Sequence, residues 1–323
     1  MLFKKSSIAI VMICSLFTRA DALANDFPTW IQTLKEAGGQ RGISYETLKL
    51  LDDLNLNVRV IELDRKQPET LLSLSSYQSS RLKPLLAPAK KALRQHKKLL
   101  LSLTQSYNVP AKYIVALWGM ESNFGVNMGG FDVLSSLATL AFEGRRSQFF
   151  QEELLVLLAL IDSGKIAQNK PIGSWAGAMG QCQFMPSSIR DKAVDANQDG
   201  IIDIWHSKED ALASIANYLQ MEGWVPNEKW GRPVRLPRNF DANFISLDKT
   251  MSVAQWSQQG ILSTDGKPLP NSSIQASLIR PDGPKKGKAF LVYANFKILM
   301  KWNRSQRFGL TVSALADSLE GDS

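Results

Sequence analysis

Residues 117–125 read LWGMESNFG, an apolar run that ends on a carboxylate and then turns through Ser-Asn-Phe-Gly. Pro110 stands just upstream, at a position where proline is tolerated because the first helical N–H has no partner anyway. The pattern predicts a helix over 111–121. On it Ile114, Leu117, Trp118 and Glu121 fall at i, i+3, i+4 and i+7, so they share one face, and the first three are apolar. Burial disfavours a carboxylate anion and raises its pKa. A carboxyl at the end of such a stripe would hold a proton near neutral pH and release it, as a general acid must. The same residue, in the last turn of a helix, can also swing into solvent. Periodicity alone leaves both readings open.

Two further clusters follow. The first is SWAGAMGQCQFMPSS, residues 174–188. Its small residues let backbone approach a ligand closely. Ser174, Gln181 and Gln183 can hydrogen-bond a polyhydroxylated ligand, and Phe184 and Met185 can line a groove. The plain alternative is a tight structural loop. The second is DANQDGIIDIW, residues 195–205. Asp195, Asn197 and Asp199 take positions 1, 3 and 5 of a loop, with Gly200 at 6, the Ile201 carbonyl at 7 and Asp203 at 9. That is the spacing of an EF-hand calcium loop. It departs at position 12, where His206 stands instead of a bidentate Glu, so Glu209 or Asp210 would have to close the site. The alternative is an acidic turn capping the next helix.

Helix signals dominate elsewhere. Residues 27–40 form an amphipathic turn set, Ser44 opens a second helix, and a long helix with a basic face is expected after Pro88. Two more helices follow the opening motif, within 131–143 and 149–164. Another is expected from about Lys208 to Glu222. Residues 226–290 differ. They carry seven prolines and short β-like runs separated by Asp-Gly turns, which predicts a small β-rich insertion. The expected division is 25–108 helical, 109–225 a catalytic core, 226–290 β-rich and 291–323 helical again. The fold class is mainly α.

Residues 1–24 combine Lys4 and Lys5, an apolar run from Ile8 to Phe17 and the triplet Ala22-Leu23-Ala24, which reads as a secretory signal peptide. The run is too short for a stable bilayer anchor. Cys14 follows Met12-Ile13, not small residues, so no lipid-modified cysteine is expected. The full sequence has a net charge of +8, and without Lys4, Lys5, Arg19 and Asp21 of the leader the exported, periplasmic chain is about +6, which suits an anionic wall or membrane surface, while a location outside the cytoplasm makes nucleic acid an unsuitable partner. Without the leader one cysteine remains, Cys182, so no internal disulfide can form. A buried small side chain is its plain reading. A nucleophilic role would need His96 or His206 as partner.

The three clusters, in this order, resemble the B-type lytic murein transglycosylases. ALWGMESNFG is similar to that family's Glu-Ser-x-Phe-Gly motif. GSWAGAMGQCQFMPSS is similar to its Gly-Ala-Met-Gly…Gln-Phe-Met-Pro-Ser loop, and VDANQDGIIDIW to its Asp-rich loop. ILMKWNRSQRFGLTVSALADSL resembles its C-terminal segment. The resemblance implies a lysozyme-like helical core with a flanking helical domain and a small β domain. It implies cleavage of the β-1,4 bond between N-acetylmuramic acid and N-acetylglucosamine of peptidoglycan, without water, leaving a 1,6-anhydro end. It makes Glu121 the acid and base. Ser174, Gln183, Tyr218 and Asn303 would contact glycan, and Asp195, Asn197, Asp199, Ile201 and Asp210 would hold calcium. No cofactor is implied for the chemistry. The expected partners are glycan strands and cell-wall synthesis proteins, and the expected state is a monomer. The chain departs from the family at Gln181-Cys182, where a small pair is common, and at Trp302, where tyrosine is common.

Ordinary glycosidases use two carboxylates. The motif provides one, and the next acidic residues along the chain, Asp132 and Glu143, carry no spacing that marks a partner. A transglycosylase needs only one, because the sugar's own O6 is the nucleophile. The competing readings are a muramidase that uses water and a non-catalytic peptidoglycan-binding scaffold.

Overall fold

The computed structural model describes residues 26–66, 72–143, 146–166 and 171–320, so the leader expected at 1–24 lies outside the described residues. The chain divides into two compact units. One gathers the described parts of Met1–Gln67 with Met128–Asp191 and Gln198–Asp203. The other gathers those of Pro68–Asn127 with Lys192–Asn197 and Ile204–Ser323.

The first unit opens with α1, residues 26–40. Ser44 accepts from the Thr47 amide and so caps α2, Tyr45–Leu48, as its position predicts. The Asp162 carboxylate fastens this cap from the other side, accepting from the Ser44 amide at 3.2 Å and the Thr47 hydroxyl at 2.7 Å. Asn57 caps α3, Val58–Arg65. A two-stranded antiparallel ribbon, β1 at Phe131–Asp132 and β2 at Ile172–Gly173, frames the apolar pair α7, Val133–Phe142, and α8, Ser147–Asp162. These two helices pack on each other, and Leu134 and Leu137 of one and Leu154 and Leu158 of the other are buried. A short helix, α9, spans Pro186–Lys192.

The second unit is built around α6, Ala111–Ser122, the helix predicted from the opening motif. Helices α4 (Leu74–Gln95), α5 (Lys97–Tyr107), α10 (Lys208–Met221) and α13 (Gln306–Asp317) pack against it. Every residue from Tyr113 to Met120 is buried, so α6 is a core helix, apolar almost all round. Helix α12, Ala294–Trp302, packs on α13.

Here α4 departs from expectation. It begins at Leu74 and runs through Pro84 and Pro88 instead of starting after Pro88. A proline inside a helix removes a hydrogen bond and frees a carbonyl. Both prolines are exposed, four residues apart, so water can satisfy the freed carbonyls. Tyr77, Leu85, Ala89, Ala92 and Leu93 bury the opposite face, and that burial outweighs the local defect.

The β-rich segment forms an antiparallel sheet of order β4-β6-β7-β3-β5. Its strands are β3 (Gly231–Arg235), β4 (Ser246–Ser252), β5 (Leu262–Ser263), β6 (Gln275–Ile279) and β7 (Ala289–Val292). Helix α11, Val253–Gln258, begins with a capping box between Ser252 and Gln255 and buries Trp256. The Trp256 indole donates to the Ala276 carbonyl at 2.9 Å, which fixes α11 to β6. Buried Asn295 bonds both the amide and carbonyl of Val225 and the Glu228 carbonyl, and Trp230 donates to Asp317 at 2.9 Å. No described helix is long and apolar enough to cross a membrane.

Candidate active site

Helix α6 stops abruptly, just after Glu121. Asn123, Phe124 and Gly125 all have positive φ, 49°, 60° and 84°. The Asn123 amide bonds the Gly119 carbonyl and the Phe124 amide bonds that of Trp118. This is a left-handed C-terminal cap. Ser122, fully buried, accepts from the Gly125 amide at 2.9 Å through its hydroxyl, while its carbonyl accepts from Asn127 at 2.8 Å. The chain thereby folds the Phe124 ring back onto Trp118, with centroids 5.3 Å apart. Gly119 leaves the space: a Cβ there would sit 2.6 Å from the tip of that ring. The Ser-Asn-Phe-Gly part of the run thus has a geometric reason at each residue.

Glu121 is the first residue on the buried side of α6 to be partly exposed. One of its oxygens, Oε1, accepts from the Trp302 indole Nε1 at 2.6 Å. Trp302 ends α12, and its ring meets the Tyr218 ring edge-on at 4.6 Å. Tyr218 comes from α10, with the Lys192 ammonium 4.1 Å from its ring centre. Burial pushes its phenol above the usual range. Asn303 follows as the cap of α12 and accepts from the Ser305 amide at 3.0 Å. Of the residues singled out from the sequence, Glu121, Tyr218 and Asn303 belong to the second unit, joined by Trp302, which the sequence reading noted only as a departure.

Ser174 and Gln183 belong to the first unit. The Ser174 hydroxyl accepts from the Ala178 amide at 2.9 Å, so its proton remains to be donated. Gln183 has φ +50°, and its NH2 group donates to the Met128 and Gly180 carbonyls at 3.1 and 2.9 Å. The Oε1 end is then the one suited to accept from a ligand. Bridges between Met179 and Phe184 pin the turn between them. Buried Glu153 anchors the far end, accepting from both the amide and hydroxyl of Ser187 at 2.8 and 2.7 Å. Gln181 and Cys182 are both buried, so this departure from the family pattern lies inside the loop.

The two neighbouring carboxylates have structural partners. Asp132 caps α7, accepting from the Ser135 amide at 2.9 Å. Glu143 pairs with Arg65.

In the acidic loop, Gly200 has φ +93° with open space at its Cβ position, and Asp199 accepts from the Ile201 amide at 2.9 Å. Both suit the sharp turn at position 6. Asp210 is fully buried while Glu209 is exposed, and Asp210 accepts from the Ala196 amide at 2.9 Å. Asp210, Ser214 and Asn217, at i, i+4 and i+7 of α10, each bond backbone of residues 192–196. Local reading missed this ladder. Among the described residues no three His, Cys, Asp or Glu side chains are grouped as a metal site. The hard oxygen donors nonetheless suit calcium.

A model of the transglycosylase SLT domain family matches residues 26–317, and the chain belongs to that family. The membrane-bound lytic murein transglycosylase B of Escherichia coli (strain K12) is 34% identical over 224 residues, 67% of this chain and 58% of that relative. The chain therefore spans less than two thirds of the length of this curated relative. Crystal structures of SltB3 from Pseudomonas aeruginosa, in complex with NAG-anhNAM-pentapeptide and with NAG-NAM-pentapeptide, are each 40% identical with TM-score 0.86. They cover 91% of this chain and 80% of SltB3. The Escherichia coli lytic transglycosylase Slt35 in complex with calcium is 27% identical with TM-score 0.78, over 90% of this chain and 92% of that one. The fold class is the expected one, mainly helical with a lysozyme-like core and a small sheet.

Proposed function

We propose that this chain is a peptidoglycan lytic transglycosylase of the periplasm, in which Glu121 serves as acid and then as base. The observation that carries the reading is the Glu121 carboxylate at the end of the buried helix α6, gripped on Oε1 by the Trp302 N–H. An indole nitrogen only donates. The indole N–H thereby holds the carboxyl group in place at the end of α6.

In the first step Glu121 gives its proton to the glycosidic oxygen as the bond from C1 of the N-acetylmuramic acid breaks. The leaving N-acetylglucosamine takes it away as a hydroxyl, and the muramoyl cation is supported by its own N-acetyl group. In the second step the Glu121 anion removes the proton from O6 of the same sugar while O6 bonds to C1. The acid is restored and a 1,6-anhydro ring closes. No water enters, and the nucleophile is held intramolecularly, which favours closure strongly. The structural bonds of Asp132 and Glu143 support a one-carboxylate route.

The Ser174 hydroxyl, the Gln183 carbonyl oxygen, Tyr218 and Asn303 would contact the glycan. Calcium, held by Asp195, Asn197, Asp199, the Ile201 carbonyl and Asp210, would stiffen the loop that α10 grips and supply no chemistry. The Slt35 complex with calcium supports this reading. The SltB3 complex with NAG-anhNAM-pentapeptide supports the anhydro product. The proposed division remains a helical domain at 25–108, a catalytic core at 109–225, a β-rich domain at 226–290 and a helical return at 291–323, behind a cleaved leader. Mass spectrometry of digested sacculi tests the function: muropeptides ending in anhydro sugars, one water lighter than reducing ends, are expected. Reducing ends alone would make the protein a muramidase, and no released fragments would make it a binding scaffold.

A further inference from the structure

A concave site lies in the sheet region of the second unit, lined by none of the residues of the proposed chemistry. It is a groove of about 780 Å³, and Arg235, Arg238, Arg280, Lys285 and Lys288 all line it. No Asp or Glu does. A further depression of about 440 Å³ shares Ala242, Ile245, Arg280 and Pro284 with it, so the concavity is elongated. A cleft lined by one sign of charge focuses its field outward and concentrates counter-ions of the opposite sign.

The loop joining β6 to β7 is organised to present this charge. Arg280 donates to the Gly287 carbonyl at 3.1 Å and to the Pro284 carbonyl at 2.8 Å, pinning the turn that carries Lys285 and Lys288. The acid of this loop, Asp282, lies beside Gly287 at the edge of the groove and has partners of its own. It accepts from the Leu74 amide at 2.7 Å and lies 3.5 Å from Arg307. Among the described residues no carboxylate stands within ion-pair distance of the five cations of the groove. Beside the cations, its lining includes the apolar side chains of Val234, Leu236, Phe240 and Ile245.

We infer that this groove binds the stem peptide of peptidoglycan through its carboxylates. The inference rests on the proposed action on peptidoglycan. Arginine forks match carboxylates in a bidentate way. The apolar part of the lining suits alanine methyls and methylene chains better than a bare phosphate. The volume lies in the range of sites that enclose small organic ligands and short peptides. The sheet then selects peptide-bearing strands while α6 and its neighbours carry out cleavage.

The test uses the full chain and a triple variant, Arg238→Gln, Lys285→Gln and Lys288→Gln, all exposed positions. Arg280 is left in place because it pins the loop. Titration calorimetry with the free stem pentapeptide is expected to show binding that weakens with salt. It should fall on the order of tenfold in the triple variant, since each exposed ion pair adds a little. The same peptide with amidated carboxylates should bind the wild type as weakly as the intact peptide binds the variant. In turnover, the variant should lose a similar factor in kcat/KM on peptide-bearing strands and none on strands stripped of peptide. Equal binding by variant and wild type, undiminished binding of the amidated peptide, or no binding at millimolar peptide would overturn the inference. So would variant-sensitive binding of phosphatidylglycerol vesicles without peptide binding, which would assign the groove to a membrane surface. If wild type cleaves neither kind of strand, the proposed function fails while the calorimetry still decides the groove.

Discussion

The Trp302 indole donates to the Glu121 carboxylate at 2.6 Å from 181 residues further along the chain. This one bond joins the end of α12 to the end of α6 and holds the carboxyl group there. Trp302→Phe keeps a ring against Tyr218 and deletes the donor. A hydrogen bond to a charged group is worth about 1.5–3 kcal/mol. The expected outcome is a fall in kcat of roughly 10–100-fold with little change in KM. Trp302→Tyr, which keeps a ring and a donor, should be milder. Initial rates of fragment release from sacculi measure both.

Gly119 is required by the ring that lies over it. Gly119→Ala sets a methyl 2.6 Å from the Phe124 ring tip and must displace it. Overpacking of this kind costs about 1–3 kcal/mol. Urea unfolding should show that loss, with activity falling alongside it because the same cap directly follows Glu121. Full stability in the variant would mean that the ring does not pack there in solution.

His96 makes stability depend on pH. Burial, then the nearby Lys208 charge, hold its imidazole below the ordinary value of 6.5, while Glu209 opposes them. The folded chain therefore binds this proton less readily than the unfolded chain. Above about pH 6.5 both states are neutral at this residue and nothing is lost. As pH falls from there toward the lower folded value, the unfolded state takes up the proton first and stability declines. Thermal melts of wild type and His96→Gln between pH 7.5 and 5 should diverge, with the variant losing less on acidification.

Calcium should act on stability more than on chemistry. At free calcium about 100-fold above its Kd, a ligand that binds only the folded state adds about 2.7 kcal/mol. A rise in Tm that chelator reverses, absent in Asp199→Ala, is expected. An unchanged Tm in millimolar calcium would leave the loop as an acidic turn.

What the sequence disclosed, and what it hid, divide by range. The helix carrying Glu121 was legible because its buried stripe and the Ser-Asn-Phe-Gly stop are local. The Ser44 cap was legible for the same reason. Periodicity left Glu121 between interior and solvent, and the structure places it partly buried, at the border between the two. Helix α4 was misjudged because local rules weigh Pro84 and Pro88 without knowing that both face water. Strand β4 lies within the expected β-rich segment but has little local signature, since SLDKTMS carries little apolar alternation and is bulged between Ser246 and Thr250. The Asp210–Ser214–Asn217 ladder and the Trp302 contact have no local signature, since each depends on which distant backbone or side chain arrives.

The central claim is that Glu121 works alone, first as acid and then as base. Its most direct test is the rate of anhydro-ended muropeptide release from sacculi by Glu121→Gln, checked by circular dichroism for an intact fold. A positioned acid–base group contributes about 10²–10⁴-fold, so release should fall by at least about 100-fold while the melting curve stays close to wild type. Release at the wild-type rate by a folded Glu121→Gln protein would contradict the account.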